Sequence, residues 1–316
     1  MKQKLTILLL VAVVAFGTLF VANHLDRIAG DDKVFTETDG DGFALAKEKQ
    51  KTKKKAKPQQ ILEFVDAHGE TYQTKILEDV PKTPYRKAGF VYKDGRLTYE
   101  DEIFRSRLGV DVSHHQGDID WQKVRADGYE FAFIRIGYRG YGKDGTINLD
   151  RKFDSNIQNA HAAGLDVGVY FFSQAINETE AKEEASFVLE HLAGYTLELP
   201  VVYDPENILD DVARTDTVSG EQFTANTQVF LSAIEEAGYQ PMVYSNMVWE
   251  AFTYDMRKIS RYPVWYADYE KKPQTPYAFT FWQFSEKGHV NGIGTTADLN
   301  IELVKKQKQK IKKKRK

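Results

Sequence analysis

The sequence predicts an α/β fold, an irregular eight-stranded (β/α) barrel with fewer helices than strands. Three observations carry that prediction. Short β-rich pieces recur at eight places from Leu108 onward, and amphipathic helical stretches lie between several of them. Polar residues collect at the ends of these pieces, while their interiors are Val, Ile, Phe and Ala.

In chain order the pieces are "LGVDVS" (108–113), "FAFIRIGY" (131–138), "DVGVYFFS" (166–173), "PVVYDPE" (200–206), "PMVYSN" (241–246), "PVWYADY" (263–269), "FTFWQFS" (279–285) and "TADLNIEL" (296–303). The clearest helix is 178–193, where Ala181, Ala185, Val188, Leu189 and Leu192 share one face. Asn177 is placed to cap it and Gly194 to stop it. Residues 150–163 and 221–237 read the same way and stop at Gly164 and Gly238. The last gaps are short, so several connections lack helices and the TIM-like barrel is irregular.

Upstream, residues 61–107 alternate short apolar pieces with turn signals such as Asp94-Gly95 and read as a small β-rich extension. Residues 23–60 are polar and Lys-rich, a linker too hydrophilic to fold. Lys2 and Lys4 precede an uncharged apolar run from Leu5 to Ala22, long enough to span a bilayer. No small-x-small cleavage site follows it, so 1–22 is expected to be an uncleaved membrane anchor with its lysines inside, the alternative being a cleaved signal peptide. Either way the body is exported.

The formal net charge of -3 hides a segregation. Residues 47–57 carry seven Lys against one Glu, and the tail 305–316 carries nine basic residues and no acid. The body over 58–304 is left strongly acidic. That pattern argues against nucleic acid, because a nucleic-acid-binding domain carries its basic stripe on the fold itself. The basic tails are instead suited to anionic wall polymers or lipid headgroups. With no cysteine, a disulfide framework and a Cys-ligated metal site are both excluded.

In an α/β barrel, functional side chains gather where the βα loops leave the strands. The ends of the eight pieces give Asp111 and Ser113, Tyr138 and Arg139, Ser173 and Gln174, Asp204 and Glu206, Tyr244 and Asn246, Asp268, Gln283 and Ser285, and finally Asp298 and Asn300. Asp204 and Glu206 lie two residues apart and point the same way, about 6.6 Å apart along a strand. If the barrel closes, Asp298 and Asp111 become neighbours. Four carboxylates around one mouth repel, so the best-placed group keeps its proton at neutral pH. Glycoside hydrolysis needs such an acid beside a second carboxylate. Glu206 is assigned as general acid, with Asp204 ionised beside it. Trp249, Trp265 and Trp282 read as part core, part sugar platform.

The motifs "GVDVSHHQGDIDW" (109–121), "PVVYDPE", "VYSN", "VWYADY", "WQFS" and "ADLN" resemble, in order and spacing, glycoside hydrolase family 25. Its members are lysozymes, β-1,4-N-acetylmuramidases that cut peptidoglycan between N-acetylmuramic acid and N-acetylglucosamine. The likeness covers about 108–303, with 108–304 as the catalytic barrel, and implies peptidoglycan glycan strands as partner and no metal or other cofactor. Carried over, the active-site acids fall on Asp111, Asp204, Glu206 and Asp298, with Glu206 matching the proton donor. Substrate-lining aromatics fall on Tyr170, Tyr244, Trp265 and Trp282. The chain departs from the pattern at Pro205 and Tyr203, where aliphatic residues are usual. The D-x-E pair also resembles hexosaminidase-type sites, in which the Asp positions the substrate's 2-acetamido group as nucleophile. Two rival readings are a catalytically silent wall-glycan binding module and a metal-dependent polysaccharide deacetylase built on Asp111, His114 and His115.

Overall fold

The structure, a computed structural model, describes residues 59–306. The anchor expected over 1–22, almost all of the linker and nearly all of the basic tail lie outside the described residues. No helix among the described residues is long and apolar enough to cross a membrane.

The extension consists of two hairpins. Strands β1 (Ile61–Val65) and β2 (Thr71–Lys75) pair antiparallel, as do β3 (Phe90–Lys93) and β4 (Arg96–Tyr99). Asp94 and Gly95 close the second hairpin with φ of 51° and 76°, a two-residue turn that needs both angles positive. The hairpins have no core of their own. Phe64, Phe90, Leu97 and Tyr99 are buried in the same apolar cluster as the outer face of the barrel. The Gln274 side chain brackets Val65, donating to its carbonyl and accepting its N–H, both at 2.8 Å.

The barrel strands are β5 (Phe104–Val112), β6 (Phe131–Arg139), β8 (Asp166–Ser173), β9 (Val201–Pro205), β10 (Pro241–Asn246), β11 (Val264–Ala267), β12 (Phe281–Gly288) and β13 (Ala297–Lys305). A short β7 (Ile147–Leu149) only edges β6. Strands β5 to β12 of the barrel run parallel in sequence order, and β5 pairs with β6 to close the ring. The helices α1 (Trp121–Ala126), α2 (Phe153–Ala162), α3 (Glu178–His191) and α4 (Gly220–Glu236) follow β5, β7, β8 and β9. After β10 come a π turn (Trp249–Thr253) and a single-turn α5 (Met256–Ile259). The Asn177 side chain accepts the Glu180 N–H at 3.0 Å, and Gly164, Gly194 and Gly238 end their helices with φ of 79°, 93° and 88°.

One strand differs from an all-parallel barrel. β13 is antiparallel to both β12 and β5. Only residues 289–296 separate β12 from β13, too few for a parallel crossover, which needs a dozen or more. The reversal puts the start of β13, not its end, at the mouth.

Strand alternation sorts the residues into two cores. Phe131, Phe133, Val202, Met242, Trp265 and Phe281 fill the barrel interior. Ala132, Ile134, Val201, Tyr203 and Trp282 face outward. Room for the inner aromatics comes from Gly109 and Gly168. A Cβ on Gly109 would stand 2.3 Å from the Phe131 ring, and one on Gly168 would stand 2.5 Å from Phe133.

Candidate active site

The same alternation that fills the floor with Phe131 and Phe133 brings Arg135 to the mouth, and beyond Val202 it brings Asp204 and then Glu206. Asp111 and Asp298 are direct register partners across β5 and β13. All four expected acids therefore line one pocket of about 320 Å³, at the end of the barrel where the parallel strands terminate. Tyr170, Tyr244 and Trp265 line it as well.

Two amides organise the Asp111 side. The Asn300 side chain donates to Asp111 Oδ2 at 2.7 Å and the Gln283 side chain at 2.9 Å; Gln283 also reaches Asp298 Oδ2 at 3.2 Å. Both amides are oriented by donors to their oxygens. Trp265 Nε1 donates to Asn300 Oδ1 at 2.8 Å, and the Tyr244 and Tyr269 hydroxyls donate to Gln283 Oε1, each at 3.0 Å. Their NH₂ groups must then face the carboxylates. Trp265 thus forms the floor, only 1% exposed and stacked on Phe133 at 4.6 Å, rather than an open sugar platform.

On the opposite wall, Asp204 is buried and its Oδ1 has no hydrogen-bond partner. Glu206, just past the end of β9, keeps some contact with solvent at the rim. Burial, then the charges of Glu206 and Asp111, pushes Asp204 well above the usual carboxylate range. Burial also pushes Glu206 up to about 7, against a hydrogen bond from Asp204 that lowers it. The pair therefore holds one proton near neutral pH. Burial of both carboxyls, as well as their mutual repulsion, favours that shared proton. Asp298 is raised to about 9 by burial and by Asp111, and Asp111 to about 6 by burial against the bonds from Gln283 and Asn300.

The pocket's fixed cation is Arg135, which sequence reasoning did not single out although it interrupts an otherwise apolar strand. It donates to Asp150 at 2.9 Å and lies 2.6 Å from His114 Nδ1, so its charge is partly spent outside the pocket. Tyr269, His115 and Glu286 also line the mouth. Residues 114–116 form a 3-10 turn, so the two histidine rings lie 4.1 Å apart instead of pointing opposite ways as on an extended chain. His114 Nδ1 is 3.0 Å from Asp150. Among the described residues no group of three His, Cys, Asp or Glu side chains could hold a metal ion.

Several expected positions lie elsewhere. Trp282 does not line the pocket. Alternation along β12 turns Gln283 inward and Trp282 outward, where its ring packs edge-on against Phe90 of the extension at 5.1 Å. Trp249 is core, packed on Phe223 and Tyr254. Arg139 is buried in an ion pair with Glu184, and Asp268 holds Tyr266 and Gln274 on the outer face. Tyr203 also points outward, packed on Phe230 at 4.6 Å, so that departure leaves the mouth untouched.

Residues 110–293 match Glycosyl hydrolases family 25. Lysozyme M1 of Streptomyces globisporus is 27% identical over 201 residues, covering 61% of this chain and 66% of that protein. The solved structure of a family 25 glycosyl hydrolase from Bacillus anthracis superposes with a TM-score of 0.54 at 25% identity, covering 68% of this chain and 92% of that one. The modular autolysin LytC of Streptococcus pneumoniae, solved in complex with a synthetic peptidoglycan ligand, shares the fold at 24% identity and a TM-score of 0.54. That match covers 76% of this chain, which spans 56% of LytC.

Proposed function

The chain belongs to glycosyl hydrolase family 25, and from that premise we propose that it is a lysozyme that hydrolyses the β-1,4 bond between N-acetylmuramic acid and N-acetylglucosamine in peptidoglycan. The observation that carries the proposal is the Asp204–Glu206 pair: a carboxyl raised to about 7 at the rim, beside a buried carboxyl with one unpartnered oxygen.

Glu206 is the general acid. It gives its proton to the glycosidic oxygen as the C1–O bond breaks. Asp204 Oδ1 accepts the N–H of the 2-acetamido group, whose carbonyl oxygen attacks C1 and closes an oxazoline-type ring. Water then opens that ring, its proton passing to the Glu206 carboxylate, and the β configuration is retained. Substrate binding itself readies the acid. An N–H donated to Asp204 favours its ionised form and leaves the shared proton on Glu206. Asp298, kept protonated, holds a sugar hydroxyl, and Asp111 faces the developing positive charge. Nuclear magnetic resonance of the first-formed reducing end tests the route: β anomer supports it, and α anomer would replace it with a direct attack by water.

The enzyme works outside the cytoplasm, held at the membrane by the apolar run 5–22. The basic stretches 47–57 and 305–316 keep it near anionic wall polymers or lipid headgroups.

A further inference from the structure

Glu206 is supported by something other than the sheet. β9 ends at Pro205, which has no N–H to donate, so the ladder stops one residue before the acid. Its support comes from Gln174, at the end of β8 and fully buried behind the pocket wall. Gln174 Nε2 donates to the Glu206 carbonyl at 2.7 Å, and the Thr215 hydroxyl, also buried, donates to Gln174 Oε1 at 2.8 Å. Because that hydroxyl engages the amide oxygen, it fixes which end of the amide faces Glu206. The residue before Thr215 secures the arrangement. Arg214 donates to the Gln174 carbonyl at 2.9 Å and clamps Glu180 of α3 with bonds of 2.5 and 2.7 Å. From the other side Asn226 of α4 holds the Ala175 carbonyl at 2.9 Å.

We propose that Gln174, oriented by Thr215, is the positioning residue of Glu206, fixing the backbone from which its carboxyl reaches Asp204 and the glycosidic oxygen. The inference rests on Glu206 being the general acid. Gln174 touches neither the pocket nor the reacting atoms, so its effect is exerted through Glu206 alone. Misplacement of a reacting group by about 1 Å costs on the order of 100-fold in rate.

The test compares Gln174→Met, Thr215→Val and Thr215→Ser in the full chain, following reducing ends released from purified peptidoglycan. Gln174→Met should lower kcat about 10- to 100-fold with KM within about twofold. Thr215→Val should fall in the same direction, and Thr215→Ser, which keeps the hydroxyl, should restore the rate. The pH profile separates positioning from simple damage. Glu206 faces Asp204 at the end of β9, Asp111, Asp298 and Arg135 across the barrel, and Tyr244, Tyr269, His115 and Glu286 around the mouth. Released from Gln174, its carboxyl swings toward solvent, and the alkaline limb of kcat/KM moves to lower pH. Full activity in Gln174→Met would overturn the proposal. So would a slow enzyme with an unmoved pH profile and a Thr215→Ser no better than Thr215→Val. If the parent chain releases nothing, the functional reading fails instead. The crystal structure of Gln174→Met then decides the positioning claim, which stands only if Glu206 is displaced.

Discussion

Glu206→Gln should make the protein more stable at pH 8 and leave it unchanged at pH 4.5. The carboxyl rises from an ordinary 4.5 to about 7 on folding. Between those values the unfolded chain has released the proton while the native state still holds it. The unfolded state then binds fewer protons, so stability falls as pH rises through that window and stays reduced above it. At 1.36 kcal/mol per tenfold change in proton affinity the penalty is about 3 kcal/mol at pH 8. Solvent at the rim and the proton shared with Asp204 reduce it to about 1–2 kcal/mol. In a domain of this size that is about 2–8 °C in Tm. Gln has the same shape and carries no charge, so it escapes the penalty. Melting curves of parent and variant at pH 4.5 and 8 provide the assay. A variant no more stable than the parent at pH 8 would refute the idea that burial holds this carboxyl neutral.

Three further outcomes follow from the same geometry. Asp111→Asn keeps the bonds from Gln283 and Asn300 but removes the charge facing the substrate. Reducing-end release should drop about 100-fold or more while the circular dichroism spectrum is unchanged. Trp282→Ala opens a cavity between barrel and extension. Denaturant titration should show a loss of about 3–5 kcal/mol, with the specific activity of the folded fraction kept. Deleting 47–57 and 305–316 together should weaken binding to purified walls most at low salt, and identical binding at low and physiological salt would end that idea.

Much of this site was legible in the sequence because period-two alternation is robust. Once Asp204 and Glu206 were placed on one strand, their shared face followed, and closure of the ring made Asp111 and Asp298 neighbours. Which face was inner was harder to read. A strand buried on both faces is apolar on both sides, here under the extension, so "FTFWQFS" gave no sign that Gln283 faces in and Trp282 out. The reversed β13 was signalled by the short gap before it, a gap that reads equally as a missing helix. Arg135 is the one charge inside "FAFIRIG", yet nothing local assigns it to the mouth rather than to an ion pair. The extension could not be joined to the barrel from sequence, since Gln274 and Val65 are 209 residues apart.

If Glu206 protonates the glycosidic oxygen of a muramidase, the bond that is cut and its dependence on this one carboxyl are both fixed. Mass spectrometry of the fragments that the full chain releases from purified peptidoglycan, with Glu206→Gln alongside, tests both most directly. Fragments ending in reducing N-acetylmuramic acid are expected from the parent chain and none from the variant. Fragments ending in reducing N-acetylglucosamine, or equal release by Glu206→Gln, would contradict the assignment.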